Sequence, residues 1–192
     1  MCPNNKIKEA VRVLKRGGII AYPTDTLFGI GCDATNIDAV SRLFKLKKRD
    51  KKPMSIACSS VEMIEEYAEM DKKEREIIKK YLPGPFTILL NKKETVSNLV
   101  TAGSSKIGVR IPNYPQILKI ISVLKKPIIS TSANLAGEPD IESLDQLKID
   151  VDFVVEGECK YKQSSTIVDI GERKILRQGA RAEEMRELLS NL

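Results

Sequence analysis

Histidine and tryptophan are both absent from the 192 residues. Without imidazole, Ser-His-Asp and Cys-His nucleophile systems, His-ligated zinc and histidine acid-base catalysis are excluded. The chemistry must run on carboxylates, hydroxyls and cations. Aromatic residues make up only 5% of the chain, four Phe and five Tyr, which leaves few platforms on which single-stranded bases could stack. The four cysteines, Cys2, Cys32, Cys58 and Cys159, are widely spaced with no CxxC pair. That spacing argues against a zinc ribbon, a thioredoxin-like site or a disulfide scaffold, and leaves reduced, mostly buried thiols. No apolar run approaches the roughly 18 residues of a spanning helix, and the N-terminus MCPNNKIKEAV is polar from its start. The expected location is the cytoplasm.

What is present is a globular composition, 42% hydrophobic and 30% charged, and residues 1–192 read as one domain. The net charge of +6 is unevenly placed. Residues 1–60 hold 12 Lys/Arg against 5 Asp/Glu, whereas residues 61–192 hold 20 against 21. Within the first third, Lys45, Lys47, Lys48, Arg49, Lys51 and Lys52 face only Asp50. Such a cluster attracts phosphate, on a nucleotide or a nucleic acid; it is equally what a solvated helix end carries, where cations suit the dipole.

Periodicity orders the rest. Ile7, Ala10, Val11 and Leu14 fall on one face of a helix from Asn5 to Arg16, with Gly17 as its stop. Gly18 to Tyr22 is a buried strand closed by Pro23. A second helix starts at an Asn36 N-cap and carries Ile37, Val40, Leu43 and Phe44 on one face, so the basic cluster forms its last turn and the loop beyond. A strand at Pro53–Cys58 precedes helices at Val61–Ala68 and Lys72–Leu82, the latter with an Asp71-x-x-Glu74 capping signal. Six further strands are expected at Phe86–Leu90, Lys106–Ile111, Pro127–Thr131, Asp152–Val155, Thr166–Ile170 and Lys174–Arg177. Helices are expected at Pro115–Leu124 and Ala182–Leu189, with a weaker one at Ser143–Leu147. About eight strands among six or seven helices predict an α/β fold, a mixed sheet flanked by helices. Leu135 to Asp140, with Gly137 and Pro139, is the candidate mobile loop.

Several polar groupings stand at strand ends. Thr24, Asp25 and Thr26 follow the first strand, where hydroxyls can project into a crevice or simply cap a turn. Gly29-x-Gly31-x-x-Ala34 fits a loose dinucleotide fingerprint in a poor context, because four residues separate it from the strand and the helix opens only at Asn36. Lys47-x-Arg49 sets a point charge and a bidentate fork two residues apart, a pair suited to a triphosphate. Ser130-Thr-Ser-Ala-Asn134 offers three hydroxyls and an amide after a β-run, more than a turn requires. Arg110 and Arg177 each alternate with apolar neighbours and face either solvent or a polar crevice.

In this order, Ala21-Tyr-Pro-Thr-Asp-Thr-Leu-Phe-Gly-Ile-Gly, Lys47-Lys-Arg49, Pro83-Gly-Pro-Phe-Thr, Ile107-Gly-Val-Arg-Ile-Pro, Ser130-Thr-Ser-Ala-Asn134, Ser165-Thr-Ile-Val-Asp and Leu176-Arg-Gln-Gly resemble the YrdC-like family of threonylcarbamoyl-AMP synthases. The pairing of Lys47-x-Arg49 with Ser132-x-Asn134 resembles that family's signature. The resemblance spans about residues 5–180 and implies the short, single-domain form. It implies a YrdC/RibB-like twisted sheet with a concave basic cavity. The implied reaction joins L-threonine, bicarbonate or CO2 and ATP into threonylcarbamoyl-AMP and pyrophosphate, with magnesium. It also implies delivery of the adenylate to the machinery that modifies an adenosine of tRNA, with tRNA contact itself weak. By resemblance, Thr24, Arg110, Ser130 and Ser165 hold threonine, whereas Lys47, Arg49, Ser132, Asn134 and Arg177 serve ATP, Lys47 and Arg49 as catalytic cations. Two rival readings are a non-catalytic RNA-binding paralogue and a different nucleotidyl transferase.

Overall fold

Residues one position apart in the strands serve opposite layers. Ile20, Tyr22, Ala57 and Ile128 pack with Ala10, Leu14, Ile117 and Ile121, while their neighbours Ile19, Ala21, Ile56 and Ile129 join a larger cluster with Val40, Leu43, Ile64 and Ile78. This period of two makes a sheet with helices on both faces. A computed structural model describes residues 3–48 and 52–192, with side chains from Asn5 onward. Arg49 and the two residues after it, the heart of the basic cluster, therefore lie outside the described residues.

The order of elements is α1 (Pro3–Lys15), β1 (Ile20–Tyr22), β2 (Gly29–Gly31), α2 (Ile37–Leu46), β3 (Ser55–Ala57), α3 (Val61–Tyr67), α4 (Lys72–Tyr81), β4 (Phe86–Asn91) and α5 (Asn98–Thr101). There follow β5 (Lys106–Arg110), α6 (Pro115–Leu124), β6 (Ile128–Ser132), a 3-10 turn (Leu144–Gln146), β7 (Phe153–Val154), β8 (Thr166–Asp169), β9 (Lys174–Arg177) and α7 (Ala182–Ser190). Among the described residues the nine strands form one mixed sheet in the order β7-β1-β2-β6-β3-β5-β4-β8-β9. Helices α1 and α6 pack together over one face. No helix among the described residues is long and apolar enough to cross a membrane.

Local chemistry explains most boundaries. The Asn36 carboxamide accepts from the Ala39 amide at 3.0 Å and starts α2. Asp71 and Glu74 form the expected reciprocal capping box of α4, with bonds of 2.7 and 2.9 Å. Gly17, at φ +78°, follows the end of α1. Val40 and Leu43 are buried as the helical face requires, but Ile37, expected on that face, is 58% exposed in the first turn of α2. The weak helix at Ser143–Leu147 is only a 3-10 turn, and the four-residue α5 was not foreseen in the sequence. Cys32, Cys58 and Cys159 are buried free thiols; burial pushes Cys32 up to about 12, and Cys58 and Cys159 upward as well.

The main departure is β2. Gly29-Ile-Gly31 is an antiparallel strand between β1 and β6, not a phosphate loop. A Cβ on Gly31 would stand 1.9 Å from the Ile129 carbonyl oxygen, so the glycine is what lets two strand backbones approach. Tyr22 fills the space beside it and donates its hydroxyl to the same Ile129 oxygen at 3.1 Å. Gly31→Ala is therefore expected to cost about 1–3 kcal/mol by overpacking. Urea denaturation should show a lower midpoint at an unchanged slope; an unchanged midpoint would mean that the strands can part freely.

Candidate functional site

Three strand ends converge on one open cleft. The turn after β1 supplies Thr24 and Thr26, β6 supplies Ser130 to Ser132, and the approach to β8 supplies Ser164 and Ser165. Among the described residues 18 line it, half of them carrying a hydroxyl, and the charged ones are Arg110, Arg177 and Asp140. Such a wall suits a small ligand with several polar groups and an anionic part.

The turn is built by its own side chains. Thr24 Oγ1 donates to the Leu27 carbonyl at 2.8 Å, accepts from the Thr26 amide at 3.0 Å and lies 2.8 Å from Thr26 Oγ1. Thr26 Oγ1 also accepts from Arg110 Nη1 at 3.2 Å, and Arg110 Nη2 donates to Asp25 Oδ1 at 2.7 Å. Asp25 is 1% and Arg110 6% exposed, so this is a buried ion pair behind the cavity wall. The pairing is incomplete, because Asp25 Oδ2 and Arg110 Nε are buried without a hydrogen-bond partner in this structure. The turn is also tied to a distant segment, where Tyr161 N–H donates to the Asp25 carbonyl at 2.9 Å.

On the opposite wall, Ser165 Oγ lies 2.9 Å from Thr87 Oγ1 and accepts from Arg177 Nη2 at 2.9 Å, while Arg177 Nε donates to the Ser165 carbonyl at 3.0 Å. The Thr166 hydroxyl donates to the Ala180 carbonyl, holding this stretch against the segment after β9. Ser130 stands in register with Ser55 of β3, which also faces the cleft.

Thr24, Arg110, Ser130, Ser132, Ser165 and Arg177, all singled out in the sequence, are brought to this one cavity. Lys47 and Asn134 are not among its lining residues. Lys47 is 2% exposed, and its ammonium donates to the carbonyl oxygens of Ser132 at 2.5 Å and Asn134 at 2.8 Å, with Asn134 Oδ1 at 3.4 Å. Arg49 lies outside the described residues. The loop from Leu135 to Asp140, expected to be mobile, is tied to α2 by Ala136 N–H donating to the Lys47 carbonyl at 3.1 Å. Thr87 was missed as a site residue. The sequence marks it only as a threonine within the apolar run of β4; its burial, 2% exposed, and its polar partner are set by the fold. Ser55 and Ser164 carry no comparable mark.

The buried pair sets an energetic expectation. Asp25→Ala leaves the Arg110 guanidinium buried without its carboxylate and should cost about 3–5 kcal/mol in urea denaturation. Adding Arg110→Met to Asp25→Ala should restore part of that loss; strict additivity of the two substitutions would mean that the groups do not interact.

Comparison with known proteins places this geometry. A family profile covering Sua5, YciO and YrdC proteins, described as "Telomere recombination", matches residues 12–179. A threonylcarbamoyl-AMP synthase of Pyrococcus abyssi is 33% identical over 174 residues, covering 87% of this chain and 51% of that protein. One of Vibrio vulnificus is 30% identical over 184 residues, covering 91% and 99%. The crystal structure of P. abyssi Sua5 complexed with L-threonine superposes with a TM-score of 0.88 at 32% identity, over 95% of this chain and 56% of that one. The chain thus spans about half the length of the Pyrococcus protein and nearly all of the Vibrio one.

Proposed function

The chain belongs to the Sua5/YciO/YrdC family, and from that premise we propose that it is a threonylcarbamoyl-AMP synthase, a nucleotidyltransferase joining L-threonine, bicarbonate or CO2 and ATP. The observation that carries this reading is the hydroxyl-lined cavity with its two guanidinium groups, on a fold shared with a relative whose structure holds L-threonine. The cavity and sheet support treating residues 1–192 as one catalytic domain.

The threonine side falls to Thr24, Arg110, Ser130 and Ser165. Arg110 supplies a cation for a carboxylate, and the hydroxyls can accept from an ammonium or exchange hydrogen bonds with the substrate hydroxyl. The nucleotide is assigned to Ser132, Asn134, Arg177 and Arg49, with Lys47 supporting the Ser132–Asn134 loop. The threonine nitrogen adds to the carbon of CO2 and loses a proton, giving a carbamate. A carbamate oxygen then attacks the α-phosphorus of ATP, the bond from that phosphorus to the bridging oxygen breaks, and pyrophosphate leaves. Neither step calls for imidazole. What the chain contributes is alignment of the carbamate oxygen with the α-phosphorus and neutralisation of the phosphates, so positioning and electrostatics dominate.

Among the described residues no three His, Cys, Asp or Glu side chains converge, and Asp140 is the single carboxylate on the cavity wall. That donor set does not build a protein cage for magnesium. The ion would enter on the triphosphate oxygens, as magnesium does when bound through substrate phosphates. The adenylate product, a mixed anhydride, suits transfer to the machinery that modifies tRNA, in the cytoplasm and without a membrane.

Pyrophosphate release is the direct assay, with threonine, bicarbonate and ATP omitted in turn. Turnover should require all three. Absence of turnover would remove the synthase reading and favour the non-catalytic RNA-binding paralogue; release without threonine would favour another nucleotidyl transfer. Ser130→Ala should weaken threonine binding by about 1–3 kcal/mol, the loss of one buried hydrogen bond, and leave the ATP KM within twofold. Arg49→Lys keeps charge but loses the planar fork, and turnover should fall at least tenfold. A variant matching the unmodified rate would reduce Arg49 to a solvated surface cation.

A further inference from the structure

We propose that Lys47 is a positioning residue: its buried ammonium holds the backbone of the Ser132–Asn134 loop, and through Ser132 the nucleotide wall of the cavity, without itself binding phosphate. The proposal takes the substrates from the synthase reading, but its geometry stands independently of them.

Lys47 closes α2 as its C-cap, and its own N–H donates to the Leu43 carbonyl at 3.1 Å. The side chain thus leaves the C-terminal end of α2, and its ammonium reaches the Ser132–Asn134 loop. A lysine so deeply buried is costly unless its three N–H groups find acceptors. Three oxygens of the loop lie within reach, two of them main-chain carbonyls. The Lys47 carbonyl meanwhile takes the Ala136 amide, so the end of α2 grips the loop both by side chain and by backbone.

The grip is passed on through Asn134. Its Oδ1 accepts from Ser132 Oγ at 2.6 Å as well as facing Lys47, and its Nδ2 donates to the Glu138 carbonyl at 2.5 Å. These donors and acceptors agree on one orientation of the carboxamide, and they leave Ser132 on the cavity wall with its hydroxyl directed at Asn134. A phosphate contact by Lys47 would require the ammonium to abandon carbonyl oxygens in a buried setting. The pairing of Lys47 with Ser132-x-Asn134 is on this account first a structural joint between residues 85 and 87 positions apart.

Brief reductive methylation with formaldehyde, read by peptide mass spectrometry on the full chain, tests the burial directly. Lys45 and Lys48, both exposed, serve as references. Lys47 should be modified at least tenfold more slowly than either, with and without ATP. Modification at their rate in the free protein, whether or not ATP then protects it, overturns the proposal. A double-mutant cycle reads the coupling. Lys47→Met should raise the ATP KM at least tenfold with the threonine KM within twofold, and adding Ser132→Ala should raise the ATP KM by no more than a further twofold. Independent, multiplicative effects of the two substitutions, or equal movement of both KM values, would overturn it. Should the unmodified protein show no turnover, the synthase reading fails alone, because methylation still decides the state of Lys47.

Discussion

The antiparallel pairing of β6 with β2 on one side and with β3 on the other joins two groups of strands into one sheet. Its tolerance is small. At Gly31 the backbones of β2 and β6 come closer than any side chain allows, and the phenol of Tyr22 closes the adjoining space while bonding to the same carbonyl. Because β6 continues into Ser130, Thr131 and Ser132, the packing that holds the middle of the sheet also determines where those hydroxyls stand. A displacement of β6 would move the cavity wall with it, which links the overpacking limit at Gly31 to the chemistry at the strand end.

Around that strand the site is assembled from polar groups that are themselves restrained. The Thr24 hydroxyl is engaged in its turn, Ser165 is held by Thr87 and Arg177, and Arg110 is anchored from behind by Asp25. Preorganised donors of this kind need little reorganisation when charge develops on a ligand. The Asp25–Arg110 pair carries the reverse cost, since two buried charges are desolvated and one atom of each lacks a partner. Among the described residues, two guanidinium groups line the cavity, Arg110 paired with Asp25 and Arg177 bonded to Ser165, together with the Asp140 carboxylate.

The basic segment after α2 illustrates how one charge run can hold residues of different kinds. Lys45 and Lys48 are exposed, as a solvated helix end would have them, whereas Lys47 between them is buried against a distant loop. Spacing could not separate these roles, because all three residues share the same composition and the same helix end. Arg110 and Arg177 differ in a similar way. Each alternates with apolar neighbours in its strand, yet Arg110 is buried in an ion pair and Arg177 is exposed, bonded to Ser165.

The sequence by itself determined the features that neighbours within about four residues control. The Asn36 cap, the Asp71–Glu74 box, the apolar face of α1 and most β-branched strand runs were legible because the interacting groups are adjacent along the chain. The motif resemblance likewise named six of the cavity residues without geometry. Only the tertiary structure decided that Gly29-Ile-Gly31 is a strand, since its glycines answer to a carbonyl of β6 and a tyrosine of β1 rather than to anything local. The same holds for Thr87 meeting Ser165 across 78 positions and Lys47 meeting Ser132 across 85. Hydrogen bonding and steric exclusion act over a few ångströms of space, so a pair separated by that much chain is invisible until the sheet has brought it together.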